Sequence, residues 1–499
     1  MTLVEMLEKN AAAHPSRPAV IFNDTVLTYA ELDATVNRFA NALIAKGVRK
    51  GDRVGMMLPR VPELIISFLG AAKAGAVAAP INFELPLPRI KALVKTLDPR
   101  FLVAYGAHVE NAAASVEGTD ARVVSIGPED PRTTAWEEFL KFPSARPSID
   151  IRPEDTVYLN YTSGSTGDSK GAITTHANVY WNTLASVEAL GLREDDIHLC
   201  MFAPFAHPHE LLARPLFLGG TTVLVDTIYP KAIAEAISRH KVTCMMGLAP
   251  MYDNLLELTE HKAYDLSSLR LPESGGMYTR GELMARFSSR LGVSIIPVWG
   301  STETTGIAIA NRPGTVIPPG SVGGPCPHYE VRIMDDAGNE CGPGEVGELV
   351  FRGPAVVSGY FEGANASNGS SSFKGGWYHS GDLATKDTDG YFYFVERKSG
   401  MMKVAGLKVY PAEIEKALLE HPLIREASVV SVKDDLRGEV PKAYITLKKG
   451  AALTAKEALK FCRERLAHYK VPRHVEFLDE LPKTTSGKIN KKALQTEGL

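Results

Sequence analysis

A glycine-rich run of hydroxylated residues follows the predicted strand 158–161 and ends at Lys170. Small residues let the backbone turn so that successive N–H groups point at one centre, which forms an anion-binding nest. Hydroxyl groups and the lysine ammonium add donors, and charge-assisted hydrogen bonds contribute on the order of 1.5–3 kcal/mol each. The run therefore predicts a polyphosphate site. Its candidate contacts are Thr162, Ser163, Gly164, Ser165, Thr166, Gly167 and Lys170.

Two other motifs compete for the same run. A Walker A loop needs glycine directly before the lysine, whereas Ser169 precedes Lys170 here. Residues 167–171 also fit the Gly-x-Ser-x-Gly elbow of serine hydrolases, which requires a strand, a one-residue turn and then a helix. Ser169 instead lies several residues past the strand and precedes the strand-like segment 171–176, which argues against a hydrolase. A solvated linker remains an alternative for the run taken alone.

Four further motifs follow in the chain. They are Trp299-Gly-Ser-Thr-Glu303, Tyr378-His-Ser-Gly-Asp382, the segment from Arg397 through Glu415, and Pro482-Lys-Thr-Thr-Ser-Gly-Lys488. Together with the phosphate run they resemble the adenylate-forming superfamily of acyl-CoA synthetases, nonribosomal-peptide adenylation domains and luciferases, over nearly the whole chain. The resemblance implies an AMP-forming carboxylate–CoA ligase that uses ATP, Mg²⁺ and coenzyme A. The carboxylate attacks the α-phosphorus of ATP to give acyl-adenylate and pyrophosphate, and the CoA thiol then displaces AMP.

The resemblance implies nucleotide-binding roles for residues of the first motifs. The run 162–170 holds the β- and γ-phosphates, Trp299 packs on adenine, Thr302 contacts the α-phosphate and Glu303 coordinates magnesium. The plainer alternatives are core packing for Trp299 and a surface or capping carboxylate for Glu303. Beside the adenine, the resemblance places Gly275, Gly276, Met277 and Tyr278, for which an ordinary tight turn is the alternative.

The later motifs supply the remaining implied roles. Asp382 accepts hydrogen bonds from the ribose hydroxyls, since a carboxylate can receive two at once. Arg397 helps at the ribose or phosphate, and Lys488 bridges the carboxylate and the α-phosphate. Gly406 leaves room for the pantetheine arm of CoA when the C-terminal domain swings between two poses. The alternative for Lys488 is one more solvated lysine beside Lys483, Lys491 and Lys492.

The chain departs from the family pattern at two places. Many relatives carry a charged pair shortly after the arginine, where this chain has Ser399-Gly400. The predicted hinge is therefore looser or rests in a different pose. Ser169 replaces the usual proline of the phosphate run, which makes that run less rigid. Neither change removes a group that the chemistry needs.

Glycine at position 300 bears on the size of the acid. Relatives restricted to acetate carry a second tryptophan there, so Gly300 predicts a deeper pocket and a medium- or long-chain fatty acid or an aromatic or alicyclic acid. His207, His209 and Glu210 lie too close together in sequence for the spacing of known metal signatures. His209 and Glu210 stay unassigned, although they could favour a polar or dicarboxylic substrate. The mostly apolar candidate pocket consists of Phe205, His207, Met251, Gly275, Gly300 and Thr305.

The elements that position these motifs alternate between helix and strand, which is typical of layered α/β architecture. Thr28 and Glu31 form a capping box for a helix through Lys46. We predict a large N-terminal domain, 1–396, of layered α/β subdomains with a β-rich subdomain from about Gly314. A hinge at 397–400 joins it to a small mobile α+β domain, 401–499, in which Thr454 and Glu457 cap a helix to about Ala467.

Composition limits the partners and the location. A chain of 499 residues is too long for one core, and its net charge of −3 disfavours nucleic acid as a partner. Five cysteines without a C-x-x-C pair indicate a reducing compartment, and the N-terminal segment does not have the composition of a signal peptide. No apolar stretch is long enough for a membrane span. We expect a cytoplasmic enzyme without integral membrane association, and the sequence leaves a homodimer open.

The acyl acceptor has alternatives. The chain shows no carrier domain after Leu499, which favours free CoA. An acyl-AMP ligase, or a stand-alone adenylation enzyme that loads a carrier protein, remains the second hypothesis. A non-catalytic nucleotide-binding homologue is the third, and the presence of Lys488, Glu303 and Asp382 argues against it.

Overall fold

The computed structural model describes residues 1–127, 130–162, 170–261, 263–362, 365–367, 372–405, 407–434, 438–483 and 489–496. Two compact units are present: the first is Met1–Glu330 with Phe351–Tyr378, and the second is Val331–Val350 with His379–Leu499. The predicted hinge at 397–400 lies inside the second unit by this division, and the boundary at 396 stays a prediction.

Strands in the described residues are β1 (Pro18–Phe22), β2 (Thr25–Thr28), β3 (Arg53–Met57), β4 (Val77–Pro80), β5 (Phe101–Tyr105), β6 (Arg122–Ile126), β7 (Thr133–Ala135), β8 (Thr156–Thr162), β9 (Lys170–Thr175), β10 (Ile197–Cys200), β11 (Thr221–Leu224), β12 (Cys244–Gly247), β13 (Leu271–Ser274), β14 (Ile296–Ser301), β15 (Gly306–Ala310), β16 (Gly324–Pro325), β17 (Glu330–Met334), β18 (Gly347–Arg352), β19 (Tyr360–Glu362), β20 (Asn365–Ser367), β21 (Phe373–Lys374), β22 (Trp377–Lys386), β23 (Phe392–Arg397), β24 (Met402–Val404), β25 (Leu407–Val409), β26 (Ile424–Asp434), β27 (Gly438–Leu447) and β28 (His474–Phe477).

Helices in the same residues are α1 (Leu3–Ala13), α2 (Tyr29–Ala45), α3 (Pro62–Lys73), α4 (Leu87–Leu97), α5 (Val109–Ser115), α6 (Trp136–Leu140), α7 (His176–Leu190), α8 (Ala213–Leu218), α9 (Pro230–His240), α10 (Ala249–His261), α11 (Gly281–Leu291), α12 (Pro411–Leu419), α13 (Ala455–Arg463) and α14 (Lys491–Thr496). Short 3₁₀ turns lie at Gly106–His108, Pro208–Leu211 and His468–Lys470.

The first unit contains two large sheets, which confirms the predicted α/β class. One has the strand order β16-β15-β14-β13-β12-β10-β11-β1-β2 and is parallel from β14 to β1. The other has the order β20-β19-β9-β8-β4-β3-β5-β6-β7 and is parallel from β8 to β7. Parallel strands buried on both faces read as near-continuous apolar runs, and β12 and β13 are buried at every position. Ligands in such sheets bind beyond the carboxyl ends of the strands.

The second unit is built from antiparallel strands and short helices. β23 pairs with β22, and the strands β25-β24-β27-β26 form a sheet that β28 extends in parallel from β27. α12 and α13 cover that sheet, with Ile414, Leu418 and Cys462 buried against Val429 and Ile445. The small α+β architecture predicted for the C-terminal part is confirmed.

Local sequence signals explain several helix boundaries. Both predicted capping boxes form: Thr28 and Thr454 accept the N–H of Glu31 and Glu457, whose carboxylates return to the cap. α13 nevertheless ends at Arg463 and not at about Ala467, because the N–H of Arg465 bonds to the carbonyl of Cys462 three residues back in a closing turn. None of the helices in the part of the chain that the structure describes is long and apolar enough to cross a membrane.

Candidate active site

The ends of the predicted phosphate-binding run are neighbours in the structure. β8 ends at Thr162 and β9 begins at Lys170, and the two residues are direct partners in the antiparallel ladder. β9 is a strand, so the segment after Ser169 is not the helix that a hydrolase elbow requires. The side chain of Thr162 lies outside the described residues, and the nest of N–H groups stays a prediction. Also outside the described residues are Ser163, Gly164, Ser165, Thr166 and Gly167.

Tyr360 links the lysine of the phosphate run to the predicted magnesium ligand. Its ring centroid is 5.5 Å from Lys170 Nζ, and its hydroxyl donates a 2.6 Å hydrogen bond to Glu303 Oε1. Burial and the adjacent Glu303 carboxylate raise the pKa of the Tyr360 hydroxyl, which therefore stays a donor. Glu303 is 8% exposed, so it is not a surface carboxylate. The fold thus brings a cation and a carboxylate from two distant motifs against one tyrosine.

The surroundings of Glu303 fit a magnesium ion. Mg²⁺ prefers oxygen ligands and is usually bound by one or two carboxylates together with substrate phosphates. Tyr360 holds one oxygen of Glu303, and Tyr378 is a second phenol beside the carboxylate. Burial and the Glu303 charge raise the pKa of Tyr378 as well. Hydrogen bonds of this kind orient a metal-binding carboxylate.

Asn160 is a candidate site residue that the sequence motifs do not indicate. It lies in β8, is 1% exposed, and its Nδ2 donates to Thr302 Oγ1 at 3.5 Å. Its Oδ1 has no hydrogen-bond partner within the described part of the chain. Because an unpaired buried amide oxygen is costly, this atom is suited to accept a hydrogen bond from a ligand. Its local pattern is that of an ordinary strand residue, so no sequence signal marks it.

Trp299, the predicted adenine contact, lies in β14 and is 9% exposed. Its ring stacks on Phe351, with the centroids 4.5 Å apart and the planes 6° from parallel. One face of the indole is therefore used in core packing, and only the other face or an edge is left for adenine. Gly276, Met277 and Tyr278 lie in the loop between β13 and α11, where Gly276 has φ +73° and Tyr278 is 49% exposed.

Half of the predicted acyl-pocket residues share one wall. Phe202, which the motifs do not indicate, joins two of them: a Cβ on Gly275 would lie 3.6 Å from Phe202 Cζ, and the rings of Phe202 and His207 are 6.0 Å apart. Met251 Sδ lies 3.3 Å from the Cβ position of Gly247, whose carbonyl accepts the N–H of Gly275. Gly275, His207 and Met251 therefore belong to one apolar surface.

Phe205, a further predicted pocket residue, lies in an aromatic group. Its ring meets Phe83 edge-on, with the centroids 5.5 Å apart, and the ring of Phe83 lies 4.2 Å from that of His108. Burial lowers the pKa of His108, which favours its neutral form. This group is a second aromatic surface of the first unit.

The last two predicted pocket residues have well-defined protein partners. Thr305 is fully buried at φ +60°, and its hydroxyl donates to the carbonyl oxygen of Ala355 at 2.7 Å. A Cβ on Gly300 would lie 2.5 Å from the carbonyl oxygen of Gly306, where β14 and β15 approach each other closely. Packing of this hairpin is therefore a reason for glycine at position 300 that does not depend on the acid.

His209 and Glu210 lie in the interior, 1% and 5% exposed. The hydroxyl of Tyr158 is 2.7 Å from His209 Nδ1. Arg214 Nε is 3.5 Å from Glu210 Oε2, and Arg214 Nη1 donates to both oxygens of Glu273 at 2.8 and 2.9 Å. We call Glu210, Arg214 and Glu273 the Arg214 cluster. The carboxylate that could have favoured a polar substrate is thus paired inside the protein core.

In the second unit, Asp382 and Arg397 are directly opposite each other on β22 and β23. Arg397 Nε is 2.7 Å from Asp382 Oδ1, and the arginine side chain is 60% exposed whereas Asp382 is 3% exposed. The two residues to which the resemblance assigns ribose and phosphate contacts therefore form one ion pair with an accessible guanidinium. Gly406 and Lys488 lie outside the described residues, and their roles stay predictions.

One further group among the described residues has ligand atoms close enough to hold a metal: those of Asp196, His198 and Cys244 lie within 4.8 Å of one another. Asp196 already accepts hydrogen bonds from Thr243 Oγ1 at 2.7 Å and Arg270 Nε at 2.9 Å. A guanidinium cation beside the carboxylate disfavours a second cation there. We therefore interpret Asp196 as the partner of Arg270 in an internal ion pair and not as a metal ligand.

Comparison with known proteins supports the motif-based prediction. Residues 7–361 match the AMP-binding enzyme family, and residues 413–488 match the AMP-binding enzyme C-terminal domain. A feruloyl-CoA synthase of Amycolatopsis sp is 36% identical over 487 residues, which cover 97% of this chain and 96% of that protein. An indoleacetate–CoA ligase of Aromatoleum aromaticum is 32% identical over 98% of this chain and 97% of its own length.

Solved structures give the same result. An anthranilate CoA ligase in complex with anthranoyl-AMP has a TM-score of 0.91 and 31% sequence identity, and covers 100% of this chain and 97% of its own. A benzoate CoA ligase from Burkholderia xenovorans LB400 has a TM-score of 0.89 at 28% identity, with 99% of this chain and 100% of that chain covered. The chain therefore belongs to the AMP-binding enzyme family, the adenylate-forming superfamily that its motifs predicted.

Proposed function

We propose that this chain is an AMP-forming carboxylate–CoA ligase for an acid larger than acetate. The observation that carries the proposal is the contact of Lys170 and Glu303 with Tyr360, since it joins the phosphate run to the predicted metal ligand. The relatives at 36% and 32% identity, both named for CoA thioester formation, support coenzyme A as the acceptor.

In the first step, an oxygen of the acid forms a bond to the α-phosphorus of ATP. The bond from that phosphorus to the bridging oxygen breaks, and pyrophosphate leaves with the electron pair. Lys170 and the 162–170 run bind the β- and γ-phosphates and stabilise this leaving group. Glu303 would hold Mg²⁺, which supplies positive charge to the phosphate oxygens when bound. The Thr302 hydroxyl, whose oxygen accepts a 3.5 Å hydrogen bond from Asn160 Nδ2, would contact the α-phosphate.

In the second step, the CoA sulfur forms a bond to the acyl carbon. The bond from that carbon to the phosphate oxygen breaks, AMP leaves with the electron pair, and the thiol proton is released. Asp382 and Arg397 would keep the ribose and phosphate of the nucleotide bound through both steps. Gly406 is the residue proposed to admit the pantetheine arm.

We favour an aromatic carboxylic acid as the substrate, with a medium- or long-chain fatty acid as the second candidate. Phe202, His207 and Met251 offer one apolar surface, and the pair of Phe83 and Phe205 offers an aromatic one. The named substrates of the feruloyl, indoleacetate, anthranilate and benzoate relatives support this choice. An ATP–pyrophosphate exchange screen from acetate through long-chain and aromatic acids tests it, and a strong preference for acetate would contradict it.

Replacement of Lys488 tests the division of labour between the two steps. Lys488→Ala is expected to abolish ATP–pyrophosphate exchange, because no other cation then bridges the carboxylate and the α-phosphate. Thioester formation from supplied acyl-AMP should be largely spared. Equal loss of both half-reactions would contradict the role assigned to Lys488.

Loading of a carrier protein in place of CoA remains the alternative acceptor chemistry. Loss of free CoA thiol on incubation with ATP and the acid distinguishes the two, because only a CoA ligase consumes it.

We further propose a cytoplasmic location, which the five free cysteines support. Light scattering decides whether the enzyme is a homodimer.

A further inference from the structure

A lysine near the C-terminus lies between two glutamates in the second unit. Lys491 Nζ, at the start of α14, is 2.8 Å from Glu415 Oε1 on α12 and 3.8 Å from Glu396 Oε2 on β23. We call these three residues the Lys491 cluster. The Lys491 side chain is 39% exposed, as expected of a solvated lysine, but it is paired with two glutamates whose side chains are only 18% and 6% exposed.

Both carboxylates of the Lys491 cluster are anchored to the backbone. Glu415 Oε1 accepts the N–H of Val429 on β26 at 2.7 Å, and Glu396 Oε2 accepts the N–H of Ala412 in the first turn of α12 at 2.9 Å. Burial alone would lower the pKa of Lys491, but Glu415 and Glu396 raise it, so the ammonium stays charged. The lysine therefore ties the start of α14 to α12 and β23, and through Glu415 to β26.

The residues that flank segment 484–488 pair with each other. Lys483 and Ile489 form an antiparallel bridge, and the N–H of Asn490 donates to the carbonyl oxygen of Pro482 at 2.7 Å. Further along α14, the carbonyl oxygen of Leu494 accepts the Tyr444 hydroxyl at 2.9 Å. The chain directly after Lys488 is thus held by the backbone bridge at Ile489, by the ion pairs of Lys491 and by the buried side chain of Leu494.

We propose that Lys491 is a positioning residue for Lys488 in the adenylation step. The inference rests on the proposed function, because it gives the Lys491 cluster a role in the half-reaction assigned to Lys488. Lys488 is three residues before Lys491 in the chain, and the ion pairs of Lys491 fix the backbone that follows it at the start of α14. An error of about 1 Å in such a group can cost on the order of a hundredfold in rate.

A purely stabilising role predicts something different. An ion pair that only stabilises the fold would, when broken, reduce the amount of folded enzyme and lower both half-reactions by the same factor. Positioning of Lys488 lowers the adenylation rate and leaves thioester formation from supplied acyl-AMP nearly unchanged. The ratio of the two half-reactions therefore separates the two roles.

The experiment compares Lys491→Met, Lys491→Arg and Glu415→Gln with a neighbouring control, Lys492→Met, in the full-length enzyme. Lys492 is exposed. We expect Lys491→Met to lower the kcat of ATP–pyrophosphate exchange by about tenfold to a hundredfold. Glu415→Gln should lower it by a smaller factor, because an amide oxygen can keep the contact with Lys491 Nζ while the negative charge is lost. Thioester formation from acyl-AMP should change by less than about threefold. Lys491→Arg should recover most of the exchange activity, and Lys492→Met should match the wild type.

Thermal unfolding of each variant identifies any that fails to fold. Glu415→Gln then carries the test, because its amide oxygen can keep both contacts of Glu415 Oε1, with the N–H of Val429 and with Lys491 Nζ, while the negative charge is lost. Equal losses in both half-reactions, or no loss in either, would overturn the inference. Absence of exchange in the wild type with every acid is a separate result, which would contradict the proposed function itself. Lys488→Ala serves as the reference for complete loss of the adenylation step.

Discussion

In the first unit Arg214 lies between Glu210 and Glu273, and in the second unit Lys491 lies between Glu396 and Glu415. Both clusters place one cation between two carboxylates. The Arg214 side chain is 2% exposed and donates to both oxygens of Glu273, whereas the Lys491 side chain is 39% exposed. A guanidinium has a planar fork that suits a fixed core, while an ammonium is a compact charge on a flexible stem.

The difference indicates two uses of the same charge pattern. The Arg214 cluster joins a 3₁₀ turn, α8 and β13 within fully buried structure. The Lys491 cluster lies at the start of a short helix beside the segment that carries Lys488, and water reaches its cation. We expect the Arg214 cluster to contribute mainly to the stability of the fold, and the Lys491 cluster to act mainly on catalysis.

Removal of the buried arginine gives the largest expected effect. Arg214→Met leaves two carboxylates unpaired in the core, which should lower the free energy of unfolding by about 3–5 kcal/mol. Urea denaturation measures the loss. The control is Arg286→Met, since Arg286 is 43% exposed and its partners are surface acids; it should cost less than about 1 kcal/mol. If the two variants lose the same free energy of unfolding, the contrast between the buried Arg214 cluster and a surface ion pair is wrong.

Acid should destabilise the first unit before the second. Burial lowers the pKa of His176 to about 4 and those of His198 and His209 to about 3, against 6.5 as the ordinary value. The unfolded chain therefore takes up protons first as the pH falls. The stability present above pH 6.5 is lost toward pH 4, by up to about 1.4 kcal/mol per pH unit for each histidine. In the second unit, by contrast, His468 and His474 are exposed.

Tryptophan fluorescence follows this loss, because Trp136, Trp181, Trp299 and Trp377 all lie in the first unit. The urea midpoint should fall between pH 7.5 and pH 5.5. His209→Gln should make the dependence on pH shallower, and His468→Gln should leave it unchanged. An identical midpoint at both pH values would contradict the assignment of neutral buried histidines.

The smallest expected effect concerns the tyrosine between the phosphate run and Glu303. Tyr360→Phe removes the 2.6 Å hydrogen bond to Glu303 Oε1 but keeps the ring beside Lys170. A lost partner of a metal-binding carboxylate typically costs on the order of tenfold in metal affinity, about 1.4 kcal/mol. We expect the Mg²⁺ concentration for half-maximal exchange to rise by that factor with little change in thermal unfolding. An unchanged Mg²⁺ dependence would show that Tyr360 does not orient Glu303.

Much of the local structure follows from short-range pattern. The capping boxes at Thr28 and Thr454, the strand character of 171–175 and the proline that opens α12 are all properties of neighbouring residues. The end of α13 could not be predicted this way, because the closing turn depends on competition among the last backbone bonds. Recognition of the family rests likewise on motifs that are contiguous in sequence.

The sequence by itself determined the α/β class, the superfamily and the residue types that the chemistry uses. Only the tertiary structure decided which of them meet, because such contacts join residues far apart in the chain. The hydroxyl of Tyr360 reaches Glu303, Asn160 reaches Thr302 and Lys491 reaches Glu415 without any local pattern that marks them. Burial also follows from the tertiary structure: Glu210, a candidate substrate contact by sequence, is buried and paired with Arg214. A charge acquires its role from the partners and the solvent that the fold leaves around it.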